Sequence, residues 1–521
     1  MVERRGGGRS APAGLVALGI VVAAIIVLPV VITVVQAITG DWQEATDALT
    51  GSGVLGLVRN TALIAAAVVP ICGILGVAAA WFVERTRLPG RRIWALLLVA
   101  PITIPLFVTS YAWATLSPSF QGFLGGVCIT ASSYYPIVYL LTSASLRGMD
   151  PALEESARSL GCGTWRVFHR VVLPQLRPAL LGGLLLVALD TLVEYDAFVG
   201  IHYPVFANTM SSLYRVSFSS SGAALLSAAS ALPCVVLLVV EARVRGNADY
   251  TRVSHGSRRQ AVRYELGRGR IPLMVAMVGL IGAGVGVPVW TLIEWSLQRS
   301  PQALSGAPAG IADLVPASIT SVLLCAAAGL VAIALALPVA VIATRYRGWM
   351  ATLLERSTYM SFALPDLVGA AALGYFALHV APFLYENIAL LVIAYAILFA
   401  PMALVGLRVT LGQIEPSLDE AARSLGLGGL RSFGRVTLPL ARPGLAAAGV
   451  LVFAFALGDL SSAQVLLPPG VTTLGTQFWA DSSTVAFAAA APFAAVMLAL
   501  SFVATYVLMS RFGKVRGVGG I

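Results

Sequence analysis

Apolar runs of about 20 residues recur along the chain, and about that many are needed to cross the hydrocarbon core of a bilayer. Twelve such runs lie near 14–38, 56–83, 93–117, 122–144, 178–200, 222–242, 271–296, 317–343, 352–379, 387–407, 443–467 and 485–510. Short alternating segments, the mark of a membrane β-barrel, are absent. The pattern predicts an all-α polytopic membrane protein with twelve transmembrane helices. Two polar, arginine-bearing segments, 150–178 and 415–443, stand out between the apolar runs.

Composition agrees: of 521 residues, 58% are hydrophobic and 11% charged, and mean hydropathy is +0.87. The net charge of +10 invites a nucleic-acid reading, which its distribution removes. With the N-terminus inside, 31 of the 34 basic residues fall in cytoplasmic segments, and only Arg59, Arg215 and Arg299 fall outside. The outer loop after the first run carries Asp41, Glu44 and Asp47 instead. Both termini and both polar segments are therefore expected in the cytoplasm. Arg4, Arg5 and Arg9 before the first run resemble a signal peptide, but the run is too long and lacks a cleavage site, so an uncleaved span is expected. Cys72, Cys128, Cys162, Cys234 and Cys325 are scattered without a CxxC spacing and read as small apolar helix residues.

The chain repeats itself. Residues 151–178 align with 416–443 without a gap, and 17 of the 28 positions are identical. Asn60-Thr61 corresponds to Thr320-Ser321, and Pro105 to Pro365, at an offset of 260; Pro136 corresponds to Pro401 at 265. Two six-helix domains, 1–242 and 271–521, are expected on either side of a basic cytoplasmic linker, 243–270. Both halves start inside, so the repeat is parallel. Each polar segment reads as a short helix, a turn and a second helix entering the membrane. Asp150-Pro151 suits an N-cap followed by proline. Ser417 with Glu420 forms a possible capping box, Gly161 and Gly426 fit a helix stop, and Leu-Pro at 173–174 and 438–439 restarts the chain.

Glu155-Ser156-Ala157, Gly161, Val171 and Leu173-Pro174 resemble the EAA loop of bacterial ABC importer permeases. Glu420-Ala421-Ala422, Gly426, Val436 and Leu438-Pro439 match it more closely, since Ser156 stands where that family favours alanine. The resemblance covers essentially the whole chain. It implies a fused type I ABC importer permease of methionine-importer-like fold in the bacterial plasma (inner) membrane. It also implies that each loop is a coupling helix docking on one of two copies of an ABC ATPase subunit, while an extracytoplasmic substrate-binding protein delivers cargo. The lipid bilayer is then the chain's surroundings, and nucleic acid is no partner. The chain's one lysine, Lys514, is followed by Val515, whereas a P-loop needs Gly-Lys followed by Ser or Thr. No catalytic residue and no bound cofactor are expected here; ATP and Mg belong to the partner.

The chain says less about cargo. The polar stretches after each loop carry Glu194, Asp196 and Asp459, with Glu194 falling on Asp459 at the offset of 265. Asp366 follows Pro365. Such acids line a translocation pathway, sit hydrated at the outer interface, or cap the next segment. No metal site is assigned, and His202 and His379 read as interface residues. The stretches VEYDAFVGIHYP and LLPPGVTTLGTQFW resemble ferric-iron permeases, which implies Fe³⁺ as cargo. Fused permeases for thiamine and 2-aminoethylphosphonate look similar in the same places. A secondary transporter using the acids as an ion relay is the alternative from another class.

Overall fold

The structure, a computed structural model, describes residues 12–39, 53–149, 151–208, 264–265, 267–297, 311–346, 348–412, 414 and 416–514, with scattered positions between 232 and 243. Among these it is helical, broken only by turns and one isolated bridge. Eight helices are long and apolar enough to span a bilayer, and eleven do so if each of three bent pairs counts as one span. These eleven answer to eleven of the twelve expected runs. The sixth, 222–242, lies mostly outside the described residues, as do most of the linker and the outer acids Asp41, Glu44 and Asp47.

Three spans are broken rather than straight. The third bends by 92° between Arg91–Thr103 and Leu106–Leu116, and the ninth by 102° between Trp349–Phe362 and Asp366–Val380. The repeated Pro105 and Pro365 sit at these two bends as the residue before each second helix. Proline lacks an N–H and disfavours helix in the residue before it, so the run stops and restarts in a new direction. The tenth span bends by 52° at Phe399, just before Pro401. Its counterpart Pro136 lies inside the continuous helix Phe123–Gly148, so the repeat has diverged there.

Spans five and eleven also differ from the sequence expectation. They run Trp165–Val193 and Phe433–Gly458 rather than 178–200 and 443–467. Pro174 and Pro439 do not restart the chain; each lies in a helix that continues out of a π-helical turn, Phe168–Val172 or Phe433–Thr437. The wider turn accommodates the missing donor without a break. At the far end both spans stop at an acid, Glu194 or Asp459, whose backbone is extended.

The described residues form two compact units that do not follow the sequence halves 1–242 and 271–521. One joins Ala13–Thr39 to the residues after 295; the other joins the helices of 52–208 to 232–294. The first span of each half thus packs within the helices of the other half. Glycine allows a close approach in each of these first spans, at Gly19 and at Gly284. A Cβ on Gly19 would lie 2.7 Å from Ile342 Cδ1, whereas one on Gly284 would lie 2.7 Å from Pro101 Cγ and 3.0 Å from the Ser132 carbonyl oxygen. Small residues at such crossings are what helix packing in lipid relies on. An isoleucine tip can swing aside; a proline ring and a carbonyl cannot. Gly284→Ala is therefore expected to destabilise by about 1–3 kcal/mol, the usual cost of overpacking, and Gly19→Ala by less. Thermal unfolding of the purified protein in detergent checks the order.

Candidate functional site

The two polar segments have one build. Helix Pro151–Ser159 is followed by a turn, helix Thr164–Val167, the π turn and span five. Helix Pro416–Ser424 is followed by a turn, helix Gly429–Ser432, the π turn and span eleven. Gly161 (φ 81°) and Gly426 (φ 89°) take the left-handed conformation that a side chain would strain. Around them Gly161 N–H donates to Arg158 O (2.8 Å) and Cys162 N–H to Ala157 O (3.1 Å). Gly426 N–H donates likewise to Arg423 O (3.0 Å) and Leu427 N–H to Ala422 O (3.1 Å). This is the paired closure of a Schellman motif in both copies. Asp150 lies outside the described residues. Ser417 is the second residue of its helix rather than its N-cap, because the fixed φ of Pro416 opens the helix first.

The ion pairs that tie each loop helix to its unit are made by the acid one position before the repeated one. Glu155 is half-buried and Glu420 exposed; Ser156 and Ala421 are exposed, Ala157 is half-buried and Ala422 buried. One position earlier, about 100° around the helix, Glu154 and Asp419 turn inward. Glu154 Oε1 lies 2.6 Å from Arg85 Nη2, with side-chain exposures of 4% and 1%. Asp419 Oδ2 lies 3.4 Å from Arg345 Nη2. Arg85 and Arg345 are 260 apart and close the helices of spans two and eight, Val54–Arg85 and Ile311–Arg345. From sequence both looked like ordinary cytoplasmic arginines. The signal that could have found them is the coincidence of the two offsets with opposite charge.

Each acid has further support of a different kind. Ser432 Oγ (3.1 Å) and Thr437 Oγ1 (2.7 Å) donate to Asp419 Oδ1. The corresponding residues of the first copy are buried valines, Val167 and Val172. Glu154 instead has Arg158 Nη2 at 3.6 Å. The Arg158 guanidinium lies 4.4 Å over the ring of Tyr264, a linker residue, and donates to its hydroxyl. Tyr264 is held in turn by main-chain bonds: Tyr264 N–H donates to Arg85 O (2.8 Å) and Arg87 N–H to Tyr264 O (3.0 Å). Burial pushes the Glu154 carboxyl up, opposed by Arg85 and Arg158. The neighbouring Arg87–Glu265 pair is largely exposed and worth little.

Each loop also carries exposed leucines. Leu153 and Leu418 are 45% and 44% exposed, and Leu160 and Leu425 83% and 84%. Leu153 and Leu418 lie on the helices, and Leu160 and Leu425 in the turns just past their ends. All four are identical between the two copies, but in so apolar a chain a leucine carries no distinguishing signal in the sequence.

At the other ends of spans five and eleven, short helices Asp196–Gly200 and Ser461–Leu466 follow the break. Glu194 accepts from Ala197 N–H (3.0 Å) and from the Tyr134 hydroxyl (2.8 Å). Asp459 accepts from Ser462 N–H, with Oδ2 at 3.2 Å. Both acids thus serve the main chain after the break. Asp196 is buried and opens its helix; Asp366, half-buried, opens the helix after the ninth-span bend. Ser462 Oγ lies 3.5 Å from the Asp366 carbonyl, so Asp366 and Asp459 belong to one neighbourhood. Glu194 and Asp196 belong to the corresponding one in the other unit. No group of three or more His, Cys, Asp or Glu side chains capable of holding a metal occurs among the described residues. The segments beyond are tied to the start of spans two and eight. Phe206 N–H donates to Thr61 Oγ1 and Leu474 N–H to Ser321 Oγ, each at 2.9 Å.

A helical membrane chain built of two repeated sets of spans, each carrying the same helix–turn–helix loop, is a duplicated transport permease. The chain belongs to the family described as binding-protein-dependent transport system inner membrane component, whose pattern it matches twice, over residues 73–245 and 332–515. It is the permease subunit of an importer of that type. The Fe(3+)-transport system permease protein FbpB 2 of Haemophilus influenzae is 30% identical over 501 residues, 96% of this chain and 98% of that one. The ferric transport system permease protein FbpB of Actinobacillus pleuropneumoniae is 26% identical over 379 residues, 68% and 54% of the two chains. The sulfate transport system permease protein CysT of Escherichia coli is 30% identical over 193 residues, covering 34% of this chain and 69% of its own.

Proposed function

We propose that this chain passes ferric iron through the bacterial plasma membrane, driven by ATP hydrolysis on a separate subunit. The observation that carries the cargo is the near end-to-end similarity to a ferric permease, which extends through both outer stretches. Two copies of the ATPase dock on the loop helices, one each. Leu153 with Leu160, and Leu418 with Leu425, supply the buried apolar anchors that a stable interface needs at its centre, while Glu155 and Glu420 supply charges that the docked subunit covers and pairs. ATP and Mg are bound by that subunit. Both termini and both loops face the cytoplasm, as the arginine distribution requires.

An extracytoplasmic binding protein delivers the ion to the outer face. Glu194, Asp196, Asp366 and Asp459 are the carboxylates nearest its path, and oxygen ligands suit a hard cation in transit. Proteoliposomes carrying this chain with its ATPase and binding protein are expected to accumulate radiolabelled Fe³⁺ when ATP is inside the ATPase-facing compartment. Accumulation that follows sulfate, thiamine or 2-aminoethylphosphonate instead would reassign the cargo. Uptake driven by a proton gradient without ATP would reject the ATPase.

A further inference from the structure

Spans two and eight touch the loop helices at one end and the outer segments at the other. At the loop end of span two stands Arg85 against Glu154; at its start, Thr61 Oγ1 receives the Phe206 N–H at 2.9 Å. Span eight repeats both contacts with Arg345 against Asp419 and Ser321 Oγ against the Leu474 N–H at 2.9 Å. In each span the hydroxyl and the arginine are 24 residues apart (85 − 61 and 345 − 321). One continuous helix joins them, about 36 Å long at 1.5 Å per residue.

A displacement of the loop helix reaches span five or eleven through the chain itself. It reaches span two or eight through the arginine–acid contact. The first contact is dry, since both side chains are at least 96% buried, and a buried ion pair resists separation far more than an exposed one. The second is partly wetted, at 14% and 20% exposure, and the two hydroxyls on Asp419 reinforce it. Arg85 Nε has no hydrogen-bond acceptor among the described residues. The joint is therefore held by charge rather than by a saturated bonding network, which leaves it able to pivot without breaking.

We infer that spans two and eight are the rods that carry movement from the ATPase-facing loop helices to the outer segments, with Arg85–Glu154 and Arg345–Asp419 as their inner joints and Thr61–Phe206 and Ser321–Leu474 as their outer ones. This rests on the proposal that an ATPase docks on the loops. The four side chains at the inner joints are positioning residues: they contact neither ATP nor cargo. Cutting a joint leaves docking and hydrolysis in place and removes the movement of the outer segment.

The test is the ratio of cargo transported to ATP hydrolysed, measured in proteoliposomes of the full complex. Arg85→Met with Glu154→Met removes both charges of one joint together. Separately, Thr61→Val with Ser321→Ala cuts both outer joints, about 36 Å away along the helix. Either variant is expected to retain ATPase co-purification and hydrolysis while transport per ATP falls at least tenfold. The reversed pair, Arg85→Glu with Glu154→Arg, is expected to recover much of the ratio. An unchanged ratio in both variants overturns the inference, as does a fall of hydrolysis and transport in step, which marks a structural role. If the inner-joint variant fails to fold, the outer-joint variant decides alone. Failure of the wild-type chain to bind an ATPase would refute the docking proposal instead, and is seen before any variant is made.

Discussion

Glu155→Ala with Glu420→Ala is expected to abolish uptake while the protein still inserts and folds. The ion pairs Glu154–Arg85 and Asp419–Arg345 tie each loop helix to its own unit, and this variant leaves both in place. The variant therefore keeps the Schellman turns, the inner ion pairs and the exposed leucines. What it removes is one charge at each docking face. Truncating one partner of a buried, hydrogen-bonded charge pair at an interface costs about 2–5 kcal/mol. Two such losses in one complex weaken assembly by about 10³-fold or more if they add. Uptake assays with a membrane-insertion control check this. Either single variant is expected to lose less, since the remaining loop still docks. Normal uptake in the double variant would remove these carboxylates from the coupling account.

The second large effect is on stability. Arg85→Met alone leaves Glu154 buried without its nearest partner, and breaking a buried pair from one side costs about 3–5 kcal/mol. Arg158, at 3.6 Å, offsets part of this. The Glu154 carboxyl, already pushed up by burial, moves higher once Arg85 is gone. The sign of the pH dependence follows. A carboxyl whose folded pKa is raised favours the folded state where it is protonated, so its contribution is fully present below the ordinary carboxylate range. That contribution is lost as pH rises through the raised value. Arg85→Met should thus approach wild-type stability in acid and fall away towards neutrality. Adding Glu154→Met should abolish the pH dependence and recover most of the loss, because apolar replacement of a whole buried pair is often neutral or better. Thermal unfolding in detergent across a pH series measures all three proteins.

Much of the architecture was legible because the chain states it twice. The matched loops, the matched prolines and the hydrophobic runs place nine of the eleven described spans within a few residues, the exceptions being spans five and eleven. Pro105 and Pro365 were found as a pair, yet hydropathy could not say that they turn their spans by 92° and 102°, since an apolar run reads the same straight or bent. The exchange of first spans was hidden for a related reason. Apolar periodicity reports that a helix is buried in lipid or protein, not which bundle it joins; the packing does, in the two units and in close approaches such as those at Gly19 and Gly284.

The loop was found by its repeated acid, but the anchoring acid lies one residue earlier. Adjacent helix positions face about 100° apart, and nothing local distinguishes Glu154 from Glu155. Burial against Arg85 does. For the outer acids the sequence allows a pathway, a hydrated interface position or a cap. Glu194 and Asp459 accept main-chain N–H groups, so capping is what their geometry shows, and a role along the path remains part of the proposal.

The most direct test of the central claim uses a photo-crosslinking residue in place of Leu160 or Leu425, which are 83% and 84% exposed. In native membranes holding the assembled importer, each position is expected to crosslink to a separate ATPase subunit. Crosslinks from both positions to lipid or to nothing, in membranes where ATP-driven uptake continues, would contradict it.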